Sequence, residues 1–257
     1  MAALYKLGGA HEKPLSAGKD RMSRHKIWTI GFDADDTLWQ NEQFFAGAQT
    51  RFAALLADAA GPDHLQERLL AAERRNLGHY GYGIKGFVLS MIETAIEVTD
   101  GRVAAPVIAE VLAMGREMLR HPVHLLPGVA AAITALSDQA ELVLITKGDL
   151  LDQERKLAAS GLGDLFDAVE IVSDKSAVVY ARIFSRHGRA QAMMVGNSLR
   201  SDVIPALDAG AWGVHVPHPL TWGHEAADQP RDHPRFRQIG ALADLPALVA
   251  TIGTSSP

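Results

Sequence analysis

Residues Ile27-Trp28-Thr29-Ile30-Gly31-Phe32 form a short, apolar, β-prone run that ends abruptly in Asp33-Ala34-Asp35-Asp36. No other feature constrains the fold of this chain as strongly. A strand apolar on both faces belongs inside a sheet that is covered on both sides. Its carboxyl end must then open onto a polar place that can receive the acids.

The chain after Pro127-Gly128 has the matching rhythm. Val129 to Leu136 reads as helix and Leu142-Val143-Leu144-Ile145 as strand. Asp152 to Ser160 is a helix ended by Gly161, Ala168 to Val172 a strand, and Ala177 to His187 a helix. Ala192 to Val195 is a strand, Val203 to Ala209 a helix ended by Gly210, Trp212 to Val216 a strand, and Leu242 to Ile252 a closing helix. Such alternation specifies a parallel sheet with helices on both faces. In sheets of this kind, ligands sit at the carboxyl ends of the strands.

Between the first strand and this region the pattern is helical only. Phe44, Phe45, Ala48, Phe52, Leu55 and Leu56 form one stripe, and Leu65, Leu69 and Leu70 mark a second helix. Val88 to Val98 and Val107 to Leu119 suggest a third and a fourth. Breaks are expected at Gly61-Pro62, at Gly78 to Gly86 and at Thr99 to Pro106. The expected organisation is a loose tail over 1–25 with Met22 as an alternative start, a core over 26–40 and 121–257, and a helical insertion over 41–120.

Composition narrows the function. A formal charge of -5 argues against a general electrostatic grip on nucleic acid or an anionic membrane. The absence of cysteine excludes disulfides, thiolate metal sites and a cysteine nucleophile. No apolar run is long enough to span a bilayer, and the first residues lack the apolar core of a secretory signal. The cytoplasm is the default location.

The ends of the expected strands carry the chemistry. Asp33 and Asp35 follow the first, Thr146 the second, Lys175 comes shortly after the third, and Asn197, Ser198 and Asp202 follow the fourth. Phosphoryl transfer needs these residue types. A carboxylate attacks phosphorus, a divalent cation offsets the mutual repulsion, a hydroxyl and an ammonium orient phosphate oxygens, and a second carboxylate moves protons.

Asp33-Ala34-Asp35-Asp36-Thr37-Leu38 resembles the first motif of the haloacid dehalogenase-like superfamily in its phosphatase form. Leu144-Ile145-Thr146 resembles the second motif, Lys175 the third, and Gly196-Asn197-Ser198-Leu199-Arg200-Ser201-Asp202 the fourth. The resemblance runs from Ile27 to the C-terminal helix. It implies a three-layer, Rossmann-like α/β core with an inserted cap of about four helices. It implies hydrolysis of a small phosphorylated metabolite, of phosphoglycolate, sugar phosphate or nucleotide type, through an aspartyl-phosphate. Asp33 would be nucleophile and Mg²⁺ ligand. Asp35 would be general acid/base, with its carbonyl on the metal. Thr146 and Lys175 would hold the phosphate, and Asn197 and Asp202 would complete the metal site. Asn197 stands where the family usually has Asp, which removes one negative charge from the metal shell.

Asn197 also resembles true dehalogenases of the superfamily, which generally lack the second acid, here Asp35. A dehalogenase, a phosphotransferase or mutase, and a non-catalytic relative remain as alternatives. Trp39, Tyr82, Lys85, Lys147 and Ser198 are candidate substrate contacts. The stretch Tyr80 to Gly86 is either a substrate-facing loop or a turn with two packed tyrosines. The segment holding His215, His218, Trp222, His224 and Glu225 reads as a surface loop near the rim, and Met91, Met114, Met118, Met193 and Met194 as core filler.

Overall fold

The computed structural model describes residues 28–187, 191–220, 222, 225 and 227–254. The expected tail over 1–25, Ile27 and His224 lie outside these residues. Six strands form one sheet: β1 (Trp28–Phe32), β2 (Ala140–Lys147), β3 (Ala168–Val172), β4 (Gln191–Gly196), β5 (Trp212–His215) and β6 (Phe236–Gln238). Their order is β3-β2-β1-β4-β5-β6, and every neighbouring pair is parallel. The chain winds outward from β1 in one direction and then returns to wind outward in the other. The crevice between β1 and β4 is therefore the topological switch point, where α/β sheets bind ligands.

Burial explains the apolar runs. All five residues of β1 are buried, because strands pair on both of its edges and side chains cover both faces. On one face Phe32, Leu142, Leu144, Met193 and Val195 pack with α5 (Val129–Ser137) and α9 (Leu245–Thr254). On the other, Val143, Ile145 and Met194 meet Tyr180 and Ile183 of α7 (Ala177–His187) and Ala206 of α8 (Ile204–Asp208). The helix α6 (Leu150–Ser160) follows β2 and is capped by the Asp149 side chain.

Four helices stand between β1 and β2: α1 (Glu42–Leu55), α2 (Pro62–Tyr80), α3 (Ile84–Val98) and α4 (Ala105–Arg120). They bury their own cluster around Phe52, Leu65, Phe87, Met91, Val111 and Met114. The insertion is thus a second hydrophobic unit rather than an extension of the sheet core. No described helix is long and apolar enough to cross a membrane.

The structure departs from the sequence reading in four places. The second helix continues through Gly78 to Tyr80, and the break falls at Gly81 and Gly83, whose φ values of 70° and 108° favour glycine. The fourth begins at Ala105 because Pro106 suits a first-turn position. The segment 199–208 splits into a π-turn over Leu199–Val203 and the short α8. Strand β6 was not expected, since its three residues Phe236-Arg237-Gln238 carry no apolar run.

Candidate active site

The Asp33 N–H still bonds to Val195 O at 2.9 Å, so the first acid stands where β1 leaves the sheet beside β4. The loop beyond it is fixed from within. Asp36 has φ 59°, and its carboxylate accepts from the N–H groups of Asn41 and Glu42 at 2.8 and 2.9 Å, starting α1. Leu38 and Trp39 are buried in the core, and Leu126 N–H and His124 O hold the backbone at Leu38 and Gln40. A chain tied down this way presents Asp33 and Asp35 in fixed directions.

Lys175 joins the two ends of the crevice. Its Nζ lies 2.5 Å from Asp33 Oδ1 and 2.7 Å from Asp202 Oδ1, and all three groups are buried. Burial and then the charge of Asp202 push Asp33 up to about 7, against the pull of Lys175. Burial opposes the charge on Lys175, but Asp202 and Asp33 outweigh it and its pKa is raised. Asp202 Oδ2 accepts from Ser198 N–H at 3.0 Å. Gly196 makes this possible, because a Cβ there would fall 2.2 Å from Asp202 Oδ2. Thr37 Oγ1 lies 3.0 Å from Asp33 Oδ2 and 3.2 Å from Asn197 Oδ1, and it accepts from Asn197 N–H at 3.0 Å. Thr146 is buried in the last turn of sheet at the end of β2, and its hydroxyl has only a weak 3.5 Å contact with Lys147 O.

Asp35 has different surroundings. Lys156 Nζ lies 2.9 and 3.0 Å from its two oxygens, Gln153 Nε2 donates at 2.8 Å, and Trp39 Nε1 donates at 2.7 Å. Burial raises its pKa, but Lys156 and the other donors outweigh burial and hold it below the usual carboxylate value. The two acids of one motif are therefore separated electrically, with Asp33 raised and Asp35 lowered.

A cavity of about 160 Å³ lies between the strand ends and the insertion. Asp33, Asp35, Thr146, Lys175, Asn197 and Asp202 all line it, as do Tyr82, Lys147 and Ser198. Trp39 and Lys85 do not. Trp39 acts through Asp35, and Lys85 pairs with Asp149 at 2.8 Å on a more exposed side. The two tyrosines of the glycine-rich stretch diverge: Tyr80 is exposed, whereas the Tyr82 ring lies 4.0 Å beneath Lys147 Nζ and edge-on to Trp222. The expectation of a surface loop over 215–225 is corrected for its described residues. His215 is buried on β5 and bonds to Asn197 O at 3.0 Å, while Trp222 and Glu225 line the cavity. Glu225 meets Lys147 at 2.5 Å and accepts from the hydroxyls of Ser198 and Ser201. Burial opposes its charge, yet Lys147 and the hydroxyls hold it at about 2.

Sequence reasoning missed Lys156 and Gln153, and also Glu42, Glu73 and Asn76 on the insertion wall, and it left Glu225 in a surface loop near the rim. The i,i+3 spacing of Gln153 and Lys156 puts both on one helix face. Nothing local says that this face turns toward Asp35.

A doubly wound parallel sheet, with carboxylates from two strand ends locked by one lysine at its switch point, defines the chain as an α/β protein of the kind that binds ligands at that crevice. Comparison with known proteins gives the family. The haloacid dehalogenase-like hydrolase profile matches residues 27–210, and the chain belongs to that family. A haloacid dehalogenase-like family hydrolase from Xanthomonas campestris is 42% identical, with a TM-score of 0.79 over 90% of this chain and 95% of its own. Two more distant structures share the fold at 20% identity and a TM-score of 0.56. One is a phosphatase of the family from Thermococcus onnurineus, covering 87% of this chain and 98% of its own. The other is an L-2-haloacid dehalogenase from Xanthobacter autotrophicus, covering 86% and 98%. The comparison with curated proteins gives no match.

Proposed function

We propose that the chain is a Mg²⁺-dependent phosphatase that hydrolyses a small phosphomonoester through an aspartyl-phosphate on Asp33. The observation that carries this reading is the Asp33–Lys175–Asp202 triangle, set beside Thr146 and Asp35 in one cavity. The helical insertion serves as the cap that excludes water over the reacting groups. A cytoplasmic location belongs to the same reading.

The oxygens at the triangle suit a hard cation. Asp33 and Asp202 are buried and share one ammonium, so the centre keeps a net negative charge. Among the described residues no three carboxylate or imidazole groups converge as a cage. That fits an ion that keeps several waters, as Mg²⁺ does. Asp33, Asp202, the Asn197 amide oxygen and the Asp35 carbonyl would hold it. Bound Mg²⁺ would supply the positive charge that favours ionised Asp33 and offsets the phosphoryl oxygens.

In the first step an Asp33 oxygen attacks phosphorus, and the bond to the leaving oxygen breaks. Lys175 and Thr146 hold the transferring oxygens, and Asp35 in its acid form protonates the leaving alkoxide. In the second step ionised Asp35 takes a proton from water as that water attacks the aspartyl-phosphate. Inorganic phosphate leaves, and Asp35 is reloaded as the acid. The pairing of Asp35 with Lys156 corresponds to the ionised state between the steps.

Asn197 favours a second reading, a dehalogenase, because a carbon–halogen substrate needs no metal and halide needs no proton. Asp35, held by three donor groups at the cavity, weighs for the phosphatase. The test is phosphate release from an aryl phosphate with Mg²⁺ beside halide release from 2-chloropropionate. Phosphate release alone is expected. Asp33→Asn keeps the shape and removes the attacking anion, so turnover should fall by several orders of magnitude, on the scale of ~4 kcal/mol or more of barrier. Near-native turnover in that variant, or halide release without phosphate release, defeats the proposal.

A further inference from the structure

The three lysines that line the cavity are all matched to carboxylates. Lys175 serves Asp33 and Asp202, Lys156 serves Asp35 and Asp152, and Lys147 serves Glu225. The insertion wall has no such balance. Glu42 stands in the first turn of α1, and among the described residues its carboxylate makes no ion pair or side-chain hydrogen bond. Glu73 on α2 accepts one hydrogen bond, from the side chain of Trp222. The two acids are close enough that Glu73 adds to the negative potential at Glu42.

Asn76 is an independent pointer. It is 6% exposed, lies three residues beyond Glu73 on the same face of α2, and lines the cavity. Its amide group has a defined orientation. Ser90 Oγ spends its proton on Gly86 O at 2.9 Å, so toward Asn76 it can only accept. Glu93 also only accepts. Asn76 Nδ2 donates to both, at 3.1 and 2.9 Å. Its carbonyl oxygen is left without a partner among the described residues, and Asn76 lines the cavity. Two carboxyl groups and an amide oxygen therefore line one cavity, and among the described residues the Trp222 side chain, on Glu73, is the single donor to them.

We propose that the preferred ester carries a primary ammonium group in its leaving-group portion, seated against Glu42, Glu73 and Asn76, and this rests on the phosphatase reading because it takes the phosphate to lie at Lys175. An ammonium has three donors and no acceptor, and it matches these three acceptors as its charge draws the protons off Glu42 and Glu73. A carboxylate in the same place, as in phosphoglycolate, meets two acids and, among the described residues, no unmatched lysine. A neutral hydroxyl satisfies one acceptor and gives neither acid a reason to ionise. Burial pushes Glu42 up to about 8 and Glu73 up to about 7, the condition of acids that lack a cation. The cavity, about 160 Å³, has room for a small aminoalkyl phosphate.

The test uses phosphonates, whose P–C bond the proposed reaction does not cleave, so that binding is read without turnover. With Mg²⁺ present, 2-aminoethylphosphonate and propylphosphonate differ only by ammonium against methyl. Calorimetry on the whole chain should show the amine bound more tightly by roughly 10- to 100-fold, the range of a charge-assisted hydrogen bond. Glu42→Gln and Glu73→Gln should each shrink that ratio, and the double variant should bring it close to one. Equal affinities in the unaltered chain, tighter binding of propylphosphonate, or a ratio that survives in the double variant overturns the proposal. Failure of the phosphatase reading is visible separately, as absence of phosphate release from every ester, and the phosphonate ratio still decides the ammonium site in that case.

Discussion

Gly196 shows how one missing side chain supports the geometry at the strand ends. Asp202 passes over it on the way to Lys175, and a Cβ at this position would come within 2.4 Å of Asp202 Cγ as well as 2.2 Å of Oδ2. Asp202 has no room to yield, since Lys175 holds one of its oxygens and Ser198 N–H the other. Gly196→Ala should therefore cost about 1–3 kcal/mol of stability, the usual penalty for overpacking. It should also reduce turnover, because Lys175 loses its second anchor. Denaturant unfolding with unchanged midpoint would show that Asp202 moves freely and that the close approach does no structural work. The same residue scale separates what motif reading reaches from what it misses. Asp33 and Lys175 stand out by type and place, whereas Lys156 is an ordinary helical lysine until the fold brings it 2.9 Å from Asp35.

At the scale of elements, α1 illustrates a conflict between local and tertiary electrostatics. A glutamate in a first helical turn is favoured by the helix dipole. Yet Glu42 faces a cavity with Asp36, Glu73, Asp35 and Glu225 nearby, and burial first and these charges next raise its pKa from 4.5 to about 8. Within that window the folded chain keeps a proton that the unfolded chain has released. Stability therefore falls as pH rises from about 4.5, and the penalty is complete above about 8. Glu42→Gln should match the parent near pH 4.5 and melt higher at pH 9, by roughly 2–4 °C for each kcal/mol recovered. A difference that is the same at both pH values would place the effect in packing or helix propensity. The strands tell a related story: β1 to β5 were legible as apolar runs, but β6 is a three-residue edge with Arg237 at its centre and owes its existence to pairing with β5.

For the molecule as a whole, the question is how two hydrophobic units meet over one cavity. The insertion packs around Phe52, Phe87 and Met91, apart from the sheet core. Contact across the cavity falls to polar and aromatic groups. Tyr82 of the insertion lies under Lys147 and against Trp222, Glu73 accepts from Trp222, and Lys85 reaches Asp149. These are small interactions compared with either core. Tyr82→Ala removes the cation–π and aromatic contacts while leaving both cores intact. It should raise KM by roughly 3- to 30-fold, from the ~0.5–2 kcal/mol of such contacts, with little change in the urea midpoint. An unchanged KM would mean that Tyr82 plays no part in closing the site over substrate.

The sequence alone determined the parallel α/β core, the place of the helical insertion and the line of Asp33, Thr146, Lys175 and Asp202 at the strand ends. It could do so because apolar periodicity and strand-end position are local properties of a chain that alternates strand and helix. Tertiary structure decided the rest: that Trp39 serves Asp35 rather than a ligand, that Lys147 spends its charge on Glu225, and that Glu42, Glu73 and Asn76 share a wall. These are meetings between residues up to 78 positions apart in the chain. Which of two oppositely charged groups finds the other is settled only when packing has set the distances and burial has removed the water that would screen them.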